Sequence, residues 1–288
     1  MTKMSEFPYT SGATVLTGAA SGIGDALARG LALRGVDLAV IDKNAEGLAA
    51  LAADLRAKYP RLNISTHAVD LSDADQIAAL PEAVKSQHRR VSMLINNAGV
   101  ALGGAFQDVS LADFEFVMDV NFWATIRMTK AFLPDLLEAA PAQLVNLSSL
   151  FGIIGVPGQA AYSSSKFGVR GFSEALRPEL AHQGVKVLQV HPGGIKTNIA
   201  NAARIGENVR REQVGDVRSS CNKLLTMEPR VAAEQILAAV AAGKNRLVIT
   251  KEAKFLDVIA RLMPSNYGST IGKLMAQKSG ISAEKLIV

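Results

Sequence analysis

Strand-like and helix-like segments alternate along most of this 288-residue chain. The first short apolar run, "ATVLT", precedes the helical pattern "DALARGLALRG", and the next run, "VDLAVID", precedes "EGLAALAADLRAKY". The same order recurs until "RVAAEQILAAVAAGK" and "NRLVIT", which we predict to be a helix and a seventh strand. Such alternation predicts a parallel sheet, and the continuously apolar strands indicate that helices cover both of its faces.

The composition and the N-terminal sequence are those expected of a globular protein of the cytoplasm. A single cysteine, Cys221, excludes an internal disulfide. The N-terminus lacks the apolar core of a signal peptide, and no apolar stretch is long enough to span a membrane. We found no linker or internal repeat, and we therefore expect one dinucleotide-binding and catalytic domain over residues 1–288.

The net charge of +5 is unevenly distributed. From Asn201 onward there are 14 Lys and Arg against 8 Asp and Glu, whereas the first 200 residues hold 17 and 18. A basic section of this kind can meet nucleic acid or an anionic membrane surface. We favour a solvated surface that attracts an anionic ligand, and we expect no nucleic-acid partner.

Two segments interrupt the alternation. Residues 197–226 are polar and only weakly periodic, which predicts a mobile segment covering the substrate, with a surface insertion as the alternative. Residues 251–288 form a C-terminal extension in which "AKFLDVIARLM" and "IGKLMAQK" are basic and amphipathic. We expect these to pack on the protein first, to contact a partner subunit second, and to lie on a membrane last.

A glycine-rich turn, "TGAASGIG", joins the first predicted strand to the first helix. Gly18, Gly22 and Gly24 would let the backbone approach a pyrophosphate, and the helix would offer free N–H groups. A tight turn without a ligand is the alternative. Asp42 ends the second strand, where an acid accepts hydrogen bonds from ribose hydroxyls and repels a 2′-phosphate. This favours NAD over NADP, although the adjacent Lys43 can tolerate a phosphate. The fold class is therefore α/β, a Rossmann-type doubly wound parallel seven-stranded sheet.

Tyr162 and Lys166 in "YSSSK" are one helical turn apart and share a face. A tyrosine hydroxyl has a pKa of about 10, and a nearby ammonium favours the phenolate. Ser149 ends a predicted strand 13 residues before Tyr162, where its hydroxyl can reach the same substrate oxygen. In isolation such a pair is usually a surface feature. Together with the glycine-rich turn, it predicts hydride transfer, with Tyr162 exchanging the proton of an alcohol.

The chain resembles the short-chain dehydrogenase/reductase family in its compact single-domain form. The motifs that carry the resemblance occur in the family's order over residues 12–200: "TGAASGIG", "VDLS", "NNAG", "NFWAT", "NLSS", "YSSSK" and "HPGGIKT". The resemblance implies a catalytic set of Asn121, Ser149, Tyr162 and Lys166, in which Asn121 binds a water that links Lys166 to solvent. It places Asp70 beside the adenine, and Asn97 along the cofactor and the central strand. Pro192 and Gly193 would lie beside the nicotinamide, and Thr197 would contact its carboxamide. The implied cofactor-binding residues are Gly18, Ser21, Gly22, Ile23, Gly24, Asp42, Asp70, Asn97, Tyr162, Lys166, Pro192, Gly193 and Thr197.

Apolar residues surround these motifs and predict a hydrophobic secondary alcohol or ketone as substrate. They are Val100, Leu102, Leu150, Phe151, Ile153, Ile154 and Val156. Two other functions stay open: a non-catalytic dinucleotide sensor on the same fold, and a sugar-nucleotide epimerase or dehydratase. We expect no metal, because the histidines show no ligand spacing, and we expect His191 to pack beside the cofactor. The resemblance also implies a homodimer or homotetramer, with a dimer formed through the helices that contain Asn121 and Tyr162.

Overall fold

Seven parallel strands form the central sheet of the computed structural model, which describes residues 7–209, 215, 218–219 and 222–268. The strands are β1 Ala13–Thr17, β2 Leu38–Asp42, β3 Ile64–Ala68, β4 Val91–Asn96, β6 Ala142–Leu147, β7 Val185–His191 and β9 Arg246–Val248. Their order across the sheet is β3-β2-β1-β4-β6-β7-β9. The chain order reverses beside β1, which pairs with β2 on one side and β4 on the other. This confirms the predicted Rossmann-type sheet and places a crevice at the carboxyl ends of β1 and β4.

Helices cover both faces of the sheet, as predicted. They are α1 Gly22–Leu33, α2 Ala45–Lys58, α3 Ala74–Lys85, α4 Leu111–Met118, α5 Ala124–Glu138, α6 Ala160–Ala181, α7 Pro229–Ala241 and α8 Lys251–Leu262. Side chains of α1, α2 and α7 form one apolar cluster with the sheet, and side chains of α3, α5 and α6 form the other. The inner strands β1, β2, β4, β6 and β7 are almost fully buried between these layers, which explains their continuously apolar sequences, whereas the edge strands β3 and β9 are partly exposed.

Local sequence determines where several helices begin. Asn44, Asp73 and Ser110 precede α2, α3 and α4, and each accepts hydrogen bonds from backbone N–H groups of the first turn. In contrast, Ser21 precedes α1 without forming such a side-chain cap. The start of α1, which faces the glycine-rich turn, is therefore not closed by its own capping side chain.

The predicted long helix over "LADFEFVMDVNFWATIRMTKAFLPDLLEA" is interrupted by one π-helical turn, Asp119–Trp123, between α4 and α5. The sequence pattern did not indicate this turn, because an inserted residue shifts the helical period only locally. A short two-stranded parallel sheet, β5 Leu102–Gly103 with β8 Arg204–Ile205, was also not predicted. It joins the chain after β4 to part of the segment 197–226.

The two segments that interrupt the alternation are only partly described. Residues 210–214, 216–217 and 220–221 of the first and 269–288 of the second, including "IGKLMAQK", lie outside the described residues. The predicted helix "AKFLDVIARLM" corresponds to α8. None of the helices in the described ranges combines the length and apolar composition needed to cross a bilayer.

Candidate active site

A cavity of about 360 Å³ opens at the carboxyl ends of the central strands. Twelve of the thirteen predicted cofactor-binding residues line it: Gly18, Ser21, Gly22, Ile23, Asp42, Asp70, Asn97, Tyr162, Lys166, Pro192, Gly193 and Thr197. Ser149 lines the same cavity, whereas Gly24 and Asn121 lie just behind its wall. A larger cleft, of about 930 Å³, adjoins it along α1 and α7 but contains none of the predicted catalytic side chains.

The glycine-rich turn brings the backbone of α1 close to β1 and β4. Gly18 and Gly22 have φ angles of +66° and +57°, which favour glycine. A Cβ at Gly24 would lie 1.9 Å from the carbonyl oxygen of Gly18, and one at Gly22 would lie 3.0 Å from Cγ2 of Thr197. Each glycine therefore permits a close approach, and Gly24 acts by packing rather than by lining the cavity.

Two carboxylates lie on the side of the cavity formed by β2 and the chain after β3. Asp42 accepts hydrogen bonds from the backbone N–H groups of Ala20 and Asn44, both at 3.0 Å, and so ties the glycine-rich turn to β2. Asp70 accepts from the hydroxyl and the backbone N–H of Ser72, and these bonds lower the pKa of its carboxyl group. The Lys43 ammonium beside them also lowers this pKa.

Asn97 joins β4 to the glycine-rich turn. Its side-chain amide donates to the backbone carbonyls of Thr17 and Gly18 at 2.9 and 3.1 Å, and its backbone N–H donates to the Thr17 hydroxyl. The predicted contact with the central strand is therefore present. Because the same residue lines the cavity, it fixes the turn at the place where a cofactor would bind.

Ser149 and Tyr162 meet at the floor of the cavity. Ser149 precedes a short helical turn, Leu150–Gly152, and its hydroxyl accepts a hydrogen bond from the backbone N–H of Phe151. Burial raises the pKa of the Tyr162 hydroxyl, and a hydrogen bond with Ser149 opposes this rise. The ring of Phe151 packs edge-on against the Tyr162 ring, at 6.0 Å between centroids. These contacts hold the phenol in a largely apolar setting.

Lys166 lies beside Tyr162, and only 4% of its surface is exposed. Its Nζ lies 5.8 Å from the centre of the Tyr162 ring and donates to the backbone carbonyl of Leu147 at 3.0 Å. Burial lowers the pKa of Lys166 from 10.5 to about 8. From the sequence, the Lys166 ammonium is expected to favour the phenolate and so to make the Tyr162 hydroxyl more acidic. In the structure the pKa of Tyr162 is raised instead, because burial of the phenol disfavours its charged form.

Asn121 lies in the π-helical turn and is fully buried. Its side chain accepts from the backbone N–H of Val100 at 2.8 Å and donates to the Val100 carbonyl and the Ser165 hydroxyl. It therefore fixes the chain after β4 against α6. Gly99 lies between the two polar groups: a Cβ there would be 3.2 Å from both Asn121 Oδ1 and Lys166 Nζ.

Gly99 was not singled out from the sequence as a site residue. Gly99 is part of the motif "NNAG", but its backbone conformation does not itself require glycine. The need for glycine at this position follows from the close approach of neighbouring side chains, which only the structure shows. After the end of β7, Gly193 likewise permits a close approach of a neighbouring side chain. A Cβ on Gly193 would lie 2.4 Å from the hydroxyl of Thr250, the residue that caps α8.

His191 does not line the cavity, contrary to its predicted place beside the cofactor. It is fully buried, and burial lowers the pKa of its imidazole to about 4, so the ring is neutral near pH 7. Nδ1 lies 2.9 Å from the backbone carbonyl of Ser149, which can only accept, so Nδ1 carries the proton. Nε2 then accepts from the side-chain amide of Gln189 at 2.7 Å. His191 thus supports the backbone of Ser149 from behind.

The apolar wall of the cavity differs from the predicted one. Of the seven apolar residues predicted to surround the site, Val100 lines the cavity, while the others belong to two adjacent apolar clusters. Side chains from α4, from the chain after β4 and from the segment 197–226 complete the wall. They include Phe116, Val120, Ile199, Ala202 and Leu225. Sequence reasoning missed them because they belong to segments that are far apart along the chain.

The family model described as "short chain dehydrogenase" matches residues 13–208. The chain belongs to the short-chain dehydrogenase/reductase family. Within this oxidoreductase family, the chain is 40% identical over 258 residues to "Putative oxidoreductase SadH" of Mycobacterium tuberculosis, covering 88% of this chain and 91% of that protein. It is 35% identical over 198 residues to "D-threitol dehydrogenase" of Mycolicibacterium smegmatis, covering 69% and 75%.

Solved structures of short-chain dehydrogenases/reductases have the same fold. A Burkholderia phymatum member in complex with NAD superposes with a TM-score of 0.77 at 26% identity, over 89% of this chain and 96% of that one. A metagenomic member in complex with NADP superposes with a TM-score of 0.68 at 28% identity, over 84% and 96%. Relatives of similar distance thus bind either dinucleotide.

Proposed function

We propose that the chain is an NAD(P)-dependent oxidoreductase that interconverts a hydrophobic secondary alcohol and its ketone, with Tyr162 as the acid and base. The observation that carries this proposal is the convergence of Ser149, Tyr162 and Lys166 on the cavity that also contains the glycine-rich turn. A dinucleotide sensor would need the turn but would have no use for a tyrosine–lysine pair in the same cavity.

The residues present fit a nicotinamide dinucleotide. Positive φ angles at Gly18 and Gly22 expose backbone N–H groups, and the uncapped start of α1 directs its dipole to the same place. Asp42 and Asp70 would hold the adenosine, Asn97 the middle of the cofactor, and Pro192, Gly193 and Thr197 its nicotinamide end. When bound, the nicotinamide would accept or return the hydride of the substrate carbon.

Proton exchange falls to the residues at the cavity floor. Ser149 would orient the substrate oxygen, and Tyr162 would take its proton during oxidation or return it during reduction. Burial keeps the free phenol protonated, which suits its role as an acid. Lys166, with a pKa of about 8, would stabilise the phenolate once it forms. It would also exchange protons with a water bound near Asn121.

The wall of the cavity supports an apolar substrate. Phe116, Val120 and Ile199 face the same space as Tyr162, and the described lining offers few charged groups at that end. The segment 197–226 would cover the substrate, since Ile199, Ala202 and Leu225 already line the cavity. The Asp42 carboxylate supports NAD as the preferred cofactor, because it would repel a 2′-phosphate.

We infer in addition that residues 1–288 work as one catalytic domain, extended at the C-terminus by residues 251–288. The helices that contain Asn121 and Tyr162 present Trp123 and Phe167, which are 45% and 38% exposed, and they would form the contact of a homodimer.

A substrate screen tests this proposal. The purified chain is incubated with hydrophobic secondary alcohols or ketones, with NAD and NADP run side by side, and the absorbance of the reduced cofactor is followed. We expect turnover with at least one apolar substrate and a lower KM for NAD than for NADP. Tight dinucleotide binding without turnover across the panel would favour a sensor, and turnover of polyols alone would contradict the apolar class.

A further inference from the structure

The last described helix, α8, has apolar residues on two different faces. Its inner face packs against the chain that follows Ser149, in a cluster formed by Leu150, Ile153, Ile154, Val248 and Ala253 with Phe151, Val156, Leu256, Ala260 and Tyr267 around it. Its exposed apolar residues are Phe255, Val258 and Leu262, which recur at helical spacing and are 56%, 52% and 77% exposed. We call these three residues the outer stripe of α8.

Cations border the outer stripe. Lys251 precedes the stripe at the start of the helix. Lys254 and Arg261 are seven positions apart, and they therefore lie along the same side of the stripe. Lys251 and Lys254 are exposed, and neither forms an ion pair within the described part of the chain. The acid Asp257 is held by Arg246 and Arg261, at 2.8 and 3.2 Å, so its charge is compensated. Glu252 is the remaining exposed acid of the helix.

The charge of the whole chain is concentrated in the same region. Residues 244–288 contain eight Lys and Arg against three Asp and Glu, a net charge of +5 that equals the net charge of the entire chain. The first 243 residues are therefore neutral overall. Long basic side chains beside an exposed apolar stripe can extend to a polar interface while the stripe enters an apolar one.

We propose that the outer stripe of α8 and its bordering cations bind an anionic phospholipid surface, as a peripheral contact. Phe255, Val258 and Leu262 enter the interface between headgroups and acyl chains, while Lys251, Lys254 and Arg261 meet the anionic headgroups. The inner face of α8 packs directly on the chain that follows Ser149, so the contact holds the active-site side of the protein near the lipid.

Charge favours this occupant over two others. A second copy that paired through the same stripe, in a two-fold contact, would bring the same cations near each other. The remaining residues 269–288 carry three lysines against one glutamate, so the chain's own tail would also bring like charge to the stripe. An anionic lipid surface is the partner that uses both the apolar residues and the cations.

The experiment is sedimentation of the full-length chain with vesicles of phosphatidylcholine alone or mixed with phosphatidylglycerol. It requires no turnover and is independent of the proposed function. We expect binding to the mixed vesicles that weakens as salt is raised. Leu262→Ser should abolish most of this binding, and the double variant Lys251→Gln with Lys254→Gln should weaken it at least about tenfold. Leu33→Ser is the matched control, since Leu33 is 68% exposed at the end of α1.

Three results would overturn the proposal. The first is equal sedimentation of Leu262→Ser and the unmodified chain, provided circular dichroism shows that the variant is folded. The second is equal binding to vesicles with and without phosphatidylglycerol. The third is a combination of two observations: the unmodified chain does not bind vesicles, and Leu262→Ser has a smaller molar mass by light scattering than the unmodified chain. This combination would assign the stripe to a contact with a second copy.

Discussion

Replacing the buried Lys166 by methionine should stabilise the protein while abolishing turnover. Burial lowers the pKa of Lys166 from 10.5 to about 8, so the unfolded chain binds this proton more tightly than the folded one. At about 1.4 kcal/mol per pKa unit, the charged lysine costs the folded state about 3 kcal/mol. The methionine side chain would keep most of the apolar packing but lose the hydrogen bond to Leu147, worth about 1 kcal/mol.

The sign of the pH dependence follows from the direction of the shift. The cost is fully present below about pH 8 and disappears as the pH rises towards 10.5, where the lysine is neutral in both states. Lys166→Met should therefore exceed the unmodified chain by about 2 kcal/mol near pH 7, and the two should be nearly equal near pH 10. Urea denaturation at fixed protein concentration measures this difference, and other titrating groups cancel in the comparison. A stability difference that stays constant between these pH values would refute the desolvation of Lys166.

Substitutions at Asp42, His191 and Gly99 examine other parts of the site. Asp42→Ala should lower the ratio of the NADP Kd to the NAD Kd by roughly tenfold, or about 1.4 kcal/mol, because the repulsion of the 2′-phosphate is removed. An unchanged ratio would count against the assignment of Asp42. His191→Leu should lower kcat and destabilise the fold by about 2 kcal/mol, because the Ser149 carbonyl loses its donor. His191→Asn should restore part of both, and equal loss in the two variants would exclude this positioning role. Gly99→Ala should lower kcat roughly tenfold by displacing its polar neighbours, whereas Gly171→Ala, with open space around it, is the control. Equal activity of these two alanine variants would show that the 3.2 Å approaches are not critical.

The parts of the protein that depend on local patterns could be predicted from the sequence. Buried strands show as apolar runs, and the glycine-rich turn marks the first strand–helix junction, so the sheet and the glycine-rich side of the cavity followed. The π-helical turn around Asn121 could not be predicted, since one inserted residue leaves the apolar pattern nearly unchanged. The place of His191 behind Ser149 depends on the pairing of β6 with β7, which brings together residues 42 positions apart.

The protonation of Tyr162 also lay beyond the sequence. The four-residue spacing to Lys166 was correct, but the balance between burial and charge depends on how much apolar surface surrounds both groups. Phe151 and the wall of the cavity supply that surface only in the folded chain. The free enzyme is therefore expected to hold a neutral phenol rather than a phenolate.

The most direct test of the central claim compares turnover and dinucleotide binding in Tyr162→Phe. This change removes one hydroxyl from the cavity and leaves the ring, its contact with Phe151 and the glycine-rich turn in place. We predict that the variant binds NAD with an unchanged Kd and shows no measurable hydride transfer with a substrate that the unmodified chain turns over. Turnover within a few-fold of the unmodified chain would contradict Tyr162 as the group that exchanges the proton.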